Sequence, residues 1–267
     1  MASHRALRFM PRIVYGSLIL VWIISWAYTK LVWGSTSVLM RSAMTDSLLD
    51  NVVYQLYYQP PIFSWIYYAH LLLCVWSLWN TRLVFIARLF AWFTGIMIYQ
   101  TAPGIFGASI FVLLNAALIL FPVYYECKSG FRRWLNSMSM LALRLQTLVV
   151  MITVALFMWG SAQWKDGEAL YYLFHQPAIV REFATDFAMN NSFVLRVITW
   201  TVFLFAVVLP LALIVRHTRY YGALSLILAG ILSMFIFQHI VIGMALALLA
   251  LPWIDARSSY GLTSAHQ

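Results

Sequence analysis

Five residue types that do acid–base chemistry in water, Lys, Asp, Glu, Tyr and His, fall in one nine-residue stretch and just beyond it. The stretch is Trp164-Lys165-Asp166-Gly167-Glu168-Ala169-Leu170-Tyr171-Tyr172, followed by His175. His175 and the more distant His239 carry the groups whose charge can change near neutral pH. A carboxylate at Asp166 can orient such an imidazole by hydrogen bonding, and a general acid or base needs that orientation. The candidate catalytic residues are therefore His239, His175 and Asp166, and the candidate substrate-binding residues are Trp164, Tyr171 and Tyr172. The plain alternative is that Trp164 and the tyrosines belong to a membrane-interface aromatic belt, with His239 a hydrogen-bonded core residue.

The elements that must position these groups are membrane helices. Hydrophobic residues make up 63% and charged residues only 9%, whereas soluble domains carry about a quarter charged residues. A spanning helix takes about 20 mostly apolar residues. Seven stretches qualify: Ile13–Trp33, Ile62–Asn80, Leu83–Tyr99, Ile105–Tyr125, Met138–Ser161, Phe193–Val215 and Gly222–Trp253. The fold class expected is all-α, a polytopic membrane helix bundle forming one integral membrane domain over residues 1–267. The seventh stretch is long enough to tilt or to kink near Gly230 or Gly243. The basic N-terminus resembles a signal-peptide n-region, but its apolar run is too long and is read as a retained first helix.

Charge sets the expected orientation. With the N-terminus inside, the inner segments hold Arg5, Arg8, Arg12, Arg82, Lys128, Arg132, Arg133, Arg216 and Arg219, as the positive-inside rule requires. Seven crossings then place the C-terminus outside. The carboxylates Asp46, Asp50, Asp166, Glu168, Glu182, Asp186 and Asp255 fall outside, and Glu126 inside. Two long outer loops result, Gly34–Pro61 and Ala162–Ser192. Within the second, Ala178–Met189 spaces Ile179, Phe183, Phe187 and Ala188 as an amphipathic interfacial helix. The net charge of +9 follows from topology signals. No soluble domain exists to carry a groove reader, so nucleic acid is not expected as a partner. The lipid bilayer is, and the location expected is the plasma membrane, as in the bacterial inner membrane.

Ionisable residues inside the spans are costly and are weighed singly. Arg88 and Arg144 lie about two turns in from the inner end, and their stems allow snorkelling to the headgroups. Lys30 and Arg196 can snorkel outward in the same way. His70 and His239 cannot snorkel. Each either hydrogen-bonds a neighbour or joins a bis-histidine haem site. No Asp or Glu lies inside any span and no inverted repeat is visible, which argues against a proton-driven transporter. Cys74 and Cys127 map to the inner half, where a structural disulfide is not expected. No C-x-x-C or Cys/His metal spacing exists, so no metal is assigned, and no cofactor is evident.

From Leu141 onward the chain resembles the HTTM domain family, which includes the membrane part of vitamin-K-dependent γ-carboxylases and bacterial proteins of the sporulation-delaying-protein B type. Three features carry the resemblance: Leu143-Arg144-Leu145-Gln146, the stretch from Trp164 to Leu173, and a C-terminal part with Leu209-Pro210-Leu211, Arg219-Tyr220-Tyr221-Gly222 and Gln238-His239-Ile240-Val241-Ile242-Gly243-Met244. The HTTM-like core portion spans residues 138–253. Family carboxylases have a lysine pair shortly before the motif's Trp; Met158 and Trp159 stand there in this chain. Proton abstraction by a buried amine needs such a lysine, so γ-carboxylation is not expected. The resemblance to the smaller bacterial branch implies assistance in maturing or exporting a secreted peptide at the outer face, together with a small partner protein. A second reading is a quinone- or haem-binding membrane subunit of an oxidoreductase.

Overall fold

The computed structural model describes residues 3–33, 60–79, 83–101, 103–123, 130–176, 180–237 and 240–254. Among these the fold is all-helical. The helices are α1 (Ser3–Trp33), α2 (Pro60–Ser77), α3 (Val84–Thr101), α4 (Pro103–Leu120), α5 (Gly130–Gly160), α6 (Ala162–Lys165), α7 (Ala169–Phe174), α8 (Glu182–Asn190), α9 (Ser192–Ile214), α10 (Arg219–Ile236) and α11 (Ile240–Ile254). Each of the seven apolar stretches is helical over most of its described residues. Three helices, α5, α9 and α10, are long and apolar enough to cross a membrane; α11 and parts of α1, α3 and α4 are shorter apolar helices. Two compact units divide the chain, one of Arg8–Cys127 and one of Lys128–Gln267 with Met1–Leu7. Residues 138–253 lie within the second.

In the first unit, α2, α3 and α4 pack in sequence order, and α1 joins them through polar anchors. The Tyr15 hydroxyl donates to the Ala117 carbonyl at 3.1 Å, and that of Tyr67 donates to the carbonyl of Trp22. Arg88 does not snorkel as its stem allows. It is fully buried, and its Nη1 donates to the carbonyls of Val123 at 2.8 Å and Leu120 at 3.4 Å. These belong to the C-terminal end of α4, where carbonyls lack intrahelical partners and the helix dipole is negative. The ring of Tyr15 lies beneath the guanidinium at 5.9 Å.

The second unit is built on α5, α9, α10 and α11. Its main departure from expectation concerns the stretch Gly222–Trp253. This is not one long helix but two, folded back as an antiparallel hairpin. The glycines are not kink points. They form the crossing, where a Cβ on Gly230 would sit 2.6 Å from the Gly243 carbonyl oxygen, and one on Gly243 would strike that of Gly230. Small residues at a helix crossing let two backbones approach closely. The break falls instead after Ile236, where Phe237 is extended at φ −91°, ψ 147°.

The hairpin also sets the direction of the last described helix within this unit. On α5, Arg144 Nε donates to the Pro252 carbonyl at 3.0 Å and the Thr147 hydroxyl to that of Leu249 at 2.9 Å. Rising numbers on α5 meet falling numbers on α11, so these helices run antiparallel. Ile254 therefore lies at the same end as the start of α5 and the α9–α10 turn, not across from them. Arg144, like Arg88, donates to a carbonyl at a helix C-terminus.

Replacing Gly230 by leucine should force the hairpin apart. We expect a loss of about 1–3 kcal/mol, the usual cost of overpacking, read as a lower thermal midpoint in detergent. An unchanged midpoint would contradict the close crossing.

Candidate functional site

The segment after α5 folds back onto the second unit through a tight turn. Gly167 has φ +78°, a left-handed conformation that glycine adopts without strain. Space is the second constraint, since a Cβ there would lie 2.5 Å from Arg196 Cγ and 3.0 Å from the Trp200 indole. The indole closes the turn by donating its Nε1–H to the Lys165 carbonyl at 3.0 Å. Arg196 pairs with Glu168 at 3.5 Å and so helps hold the turn. Both ends of this pair are substantially exposed, so it contributes little on its own.

Behind the turn, α7 presents two faces. Leu170 and Phe174 are buried with Val180, Ala184, Ala188 and Leu195, and Trp164, Leu173, Ile236 and Phe237 pack around them. Trp164 is thus part of the docking core rather than of an open binding surface. The other face carries Tyr171, Tyr172 and His175, with the tyrosines 40% and 53% exposed. The Tyr171 ring lies 4.2 Å from the His175 ring and edge-on to Tyr172. His175 Nδ1 is 2.7 Å from the Tyr171 carbonyl oxygen, which makes it the protonated nitrogen there. Tyr172 donates to Glu168 Oε2 at 3.3 Å. The charge of that carboxylate raises the hydroxyl above its usual range, so Tyr172 remains a neutral donor.

Next comes a short backbone pairing. Val180 bridges Phe237 antiparallel, and the Arg181 N–H donates to the Ile236 carbonyl at 3.0 Å. Of the helix expected over Ala178–Met189, Ala178 and Ile179 lie outside the described residues; the pairing engages Val180 and Arg181, and α8 starts at Glu182. Its apolar residues are also split. Ala184 and Ala188 face the core, while Phe183 and Phe187 are exposed.

The structure therefore brings Tyr171, Tyr172 and His175 together on one helix face and sets Glu168 beside them. Asp166 is exposed, and among the described residues its carboxylate makes no hydrogen bond or ion pair. It does not orient His175. His239 lies outside the described residues. Sequence reasoning missed Glu168, Arg196 and Trp200 as site residues. A signal was present: Arg196 and Trp200 are spaced i, i+4 near the start of α9, on one helix face beside an acidic loop.

His70, the other histidine placed inside a span by the sequence reading, has both ring nitrogens engaged. Thr94 spends its hydroxyl proton on the Phe90 carbonyl at 2.8 Å. His70 Nδ1 lies 2.9 Å from that hydroxyl oxygen, and Nε2 lies 3.4 Å from Cys74 Sγ. An imidazole in this arrangement has no nitrogen turned to an iron. Among the described residues, no group of three His, Cys, Asp or Glu could hold a metal ion. No protein-family model, curated protein or solved structure matches the chain.

Gly167→Ala should unseat the turn. Left-handed backbone costs a non-glycine residue about 1–2 kcal/mol, and the contact with Arg196 adds to it. Limited proteolysis of the folded protein should cut between residues 162 and 176 several times faster in the variant; equal rates would refute the docked turn.

Proposed function

We propose that this protein is an integral membrane protein whose α6–α8 cap serves as an outer-face platform for a secreted peptide during its maturation or export. One observation carries the reading: the cap is docked on α9 and Phe237, so its exposed aromatic and acidic face is held in a fixed place. Tyr171, Tyr172, Asp166 and Glu168 offer ring faces and carboxylates to a cationic amphipathic peptide. Such rings attract ammonium and guanidinium groups, and preorganisation lowers the cost of binding them. The resemblance of Trp164–Leu173 to the HTTM family, in its sporulation-delaying-protein B branch, supports the same substrate class and a small partner protein. The membrane proposed is the plasma membrane.

The orientation proposed puts the basic α9–α10 turn inside and the cap outside. Seven crossings with an outer C-terminus give way to an even number, with the hairpin returning Ile254 to the inner side. In a background lacking Cys74 and Cys127, cysteines at His217 and Ile254 should resist an impermeant thiol reagent in intact cells, and one at Ser192 should react. Labelling at Ile254 would refute the returning hairpin, and the reverse pattern at His217 and Ser192 would refute the orientation.

Peptide binding is tested with a fluorescent Lys- and Leu-rich amphipathic peptide and the protein in nanodiscs of zwitterionic lipid. Losing one cation–aromatic contact costs about 0.5–1 kcal/mol, or roughly two- to fivefold in affinity. Tyr171→Ala and Asp166→Asn should each weaken binding by about that factor. Unchanged affinity in both variants would remove the platform reading.

A further inference from the structure

A single residue joins α8 to α9. Asn191 has φ −138° and ψ 50°, outside the helical range, so the chain turns off the line of α9 there. Its side-chain amide donates to the Phe187 carbonyl at 3.0 Å, and its own carbonyl accepts the Leu195 N–H at 3.0 Å. The same residue thus closes one helix and opens the next, and the level of α8 is set by the first turn of α9. That helix is long and apolar enough to cross a membrane. Its 23 residues extend about 34 Å at 1.5 Å per residue, close to the thickness of a bilayer core. Its first turn then falls at the edge of the hydrocarbon, and α8 with it.

The sides of α8 differ in chemistry. Successive residues on a helix stand about 100° apart around its axis. Ala184 and Ala188 are buried in the cluster that holds Leu195. Glu182 and Asp186 are exposed and lie roughly opposite those alanines around the axis. Phe183 and Phe187 stand between the two, about a quarter-turn from each, and are 59% and 43% exposed. Facing away from them is Thr185, whose hydroxyl donates to the Phe174 carbonyl of α7 at 2.9 Å. The two phenylalanines therefore point away from α7. The sequence spaces Phe183, Phe187 and Ala188 as one apolar side; the fold divides it, giving the alanines to the core and leaving the rings outside. Exposed apolar surface rimmed by polar residues marks an interaction site.

We infer that α8 is seated in the lipid surface: Phe183 and Phe187 enter the leaflet at the cap end of α9, at the boundary of headgroups and acyl chains, while Glu182 and Asp186 stay in water. Two observations select lipid as the occupant. The level of α8 is fixed by a helix fit to cross a membrane. The chain from Phe187 to Leu195 carries no charge, and Phe193 in the first turn of α9 is exposed as well, so the apolar surface of the spanning helix runs on to α8 unbroken by charge. A helix with an apolar side and a charged side lies in the interface plane in this way. The seat holds the height of the α6–α8 cap by a contact separate from the cluster around Leu170. The inference is independent of the peptide reading.

The test uses the full-length chain in phosphatidylcholine nanodiscs, in a background lacking Cys74 and Cys127. Phe183→Cys, Phe187→Cys, Glu182→Cys and Asp186→Cys each carry one nitroxide. Power-saturation spectroscopy reads collision with oxygen, which partitions into lipid, and with a water-soluble nickel chelate. The oxygen-to-nickel ratio should be several-fold higher at positions 183 and 187 than at 182 and 186. Equal ratios at all four, or the reverse order, overturn the seat. Low collision with both agents at 183 and 187 would place the pair against protein, a second copy or the chain's own Arg8–Cys127 unit, and overturns lipid as the partner. If the two phenylalanine variants fail to insert, p-benzoylphenylalanine at position 187 decides, since it keeps an aromatic ring. On illumination it should yield a phospholipid adduct by mass spectrometry. An adduct with protein alone, or no adduct, overturns the seat.

Discussion

Helix ends are the constraint on which this structure turns. A membrane helix satisfies its own interior, but its last carbonyls and first amides need outside partners. The chain meets the need at C-termini with arginine: Arg88 at the end of α4, Arg219 at α9 and Arg144 at α11. A guanidinium suits this role because it offers several donors and stays charged when partly buried. Each bond also fixes where one helix ends against another element, so capping and packing become the same contact. Once α11 is held by Arg144 and Thr147, its direction is set, and with it the side on which the described chain ends.

At the opposite end of α9 the need is met differently. The α10 helix stops at Ile236, and the backbone that follows pairs with Val180 and Arg181 of the cap. That short antiparallel pairing does two things. It satisfies a carbonyl at the break, and it ties the cap to the hairpin through main-chain atoms that no substitution of side chains removes. The apolar cluster around Leu170, Phe174 and Leu195 then fills the space beneath. A loop that sequence alone marks as polar and turn-forming thus becomes a docked layer, and the outward face of α7 inherits its fixed position.

Much of this was legible in the residues. The seven apolar stretches are helical over most of their described residues, and the Asp166-Gly167 turn is where a glycine was needed. A helix lies over Glu182–Asn190, within and one residue past the span expected for the amphipathic one. The hairpin was not legible, for a physical reason. Hydropathy is nearly continuous from Gly222 to Trp253, and only Gln238-His239 interrupts it. Glycine in such a run reads equally as a kink or as a close crossing, and only a partner backbone decides. The arginines were ambiguous in the same sense. A long stem that can reach the headgroups can equally reach a carbonyl one helix away, and the choice depends on tertiary neighbours at 32 to 108 residues' separation.

The candidate site shows where residue type stops short of geometry. Asp166 and His175 have the chemistry of an acid–base pair, but the turn at Gly167 points their segment along α9 and leaves Asp166 exposed without a partner among the described residues. Glu168 takes the place beside the aromatic face. It accepts from Tyr172 and pairs with Arg196, and both contacts are solvent-exposed and individually weak. A proton-transfer site gains its power from desolvated, oriented groups, and this face has neither deep burial nor a buried base. It has fixed rings with a carboxylate beside them, the surface on which the proposed recognition of a cationic, amphipathic peptide rests.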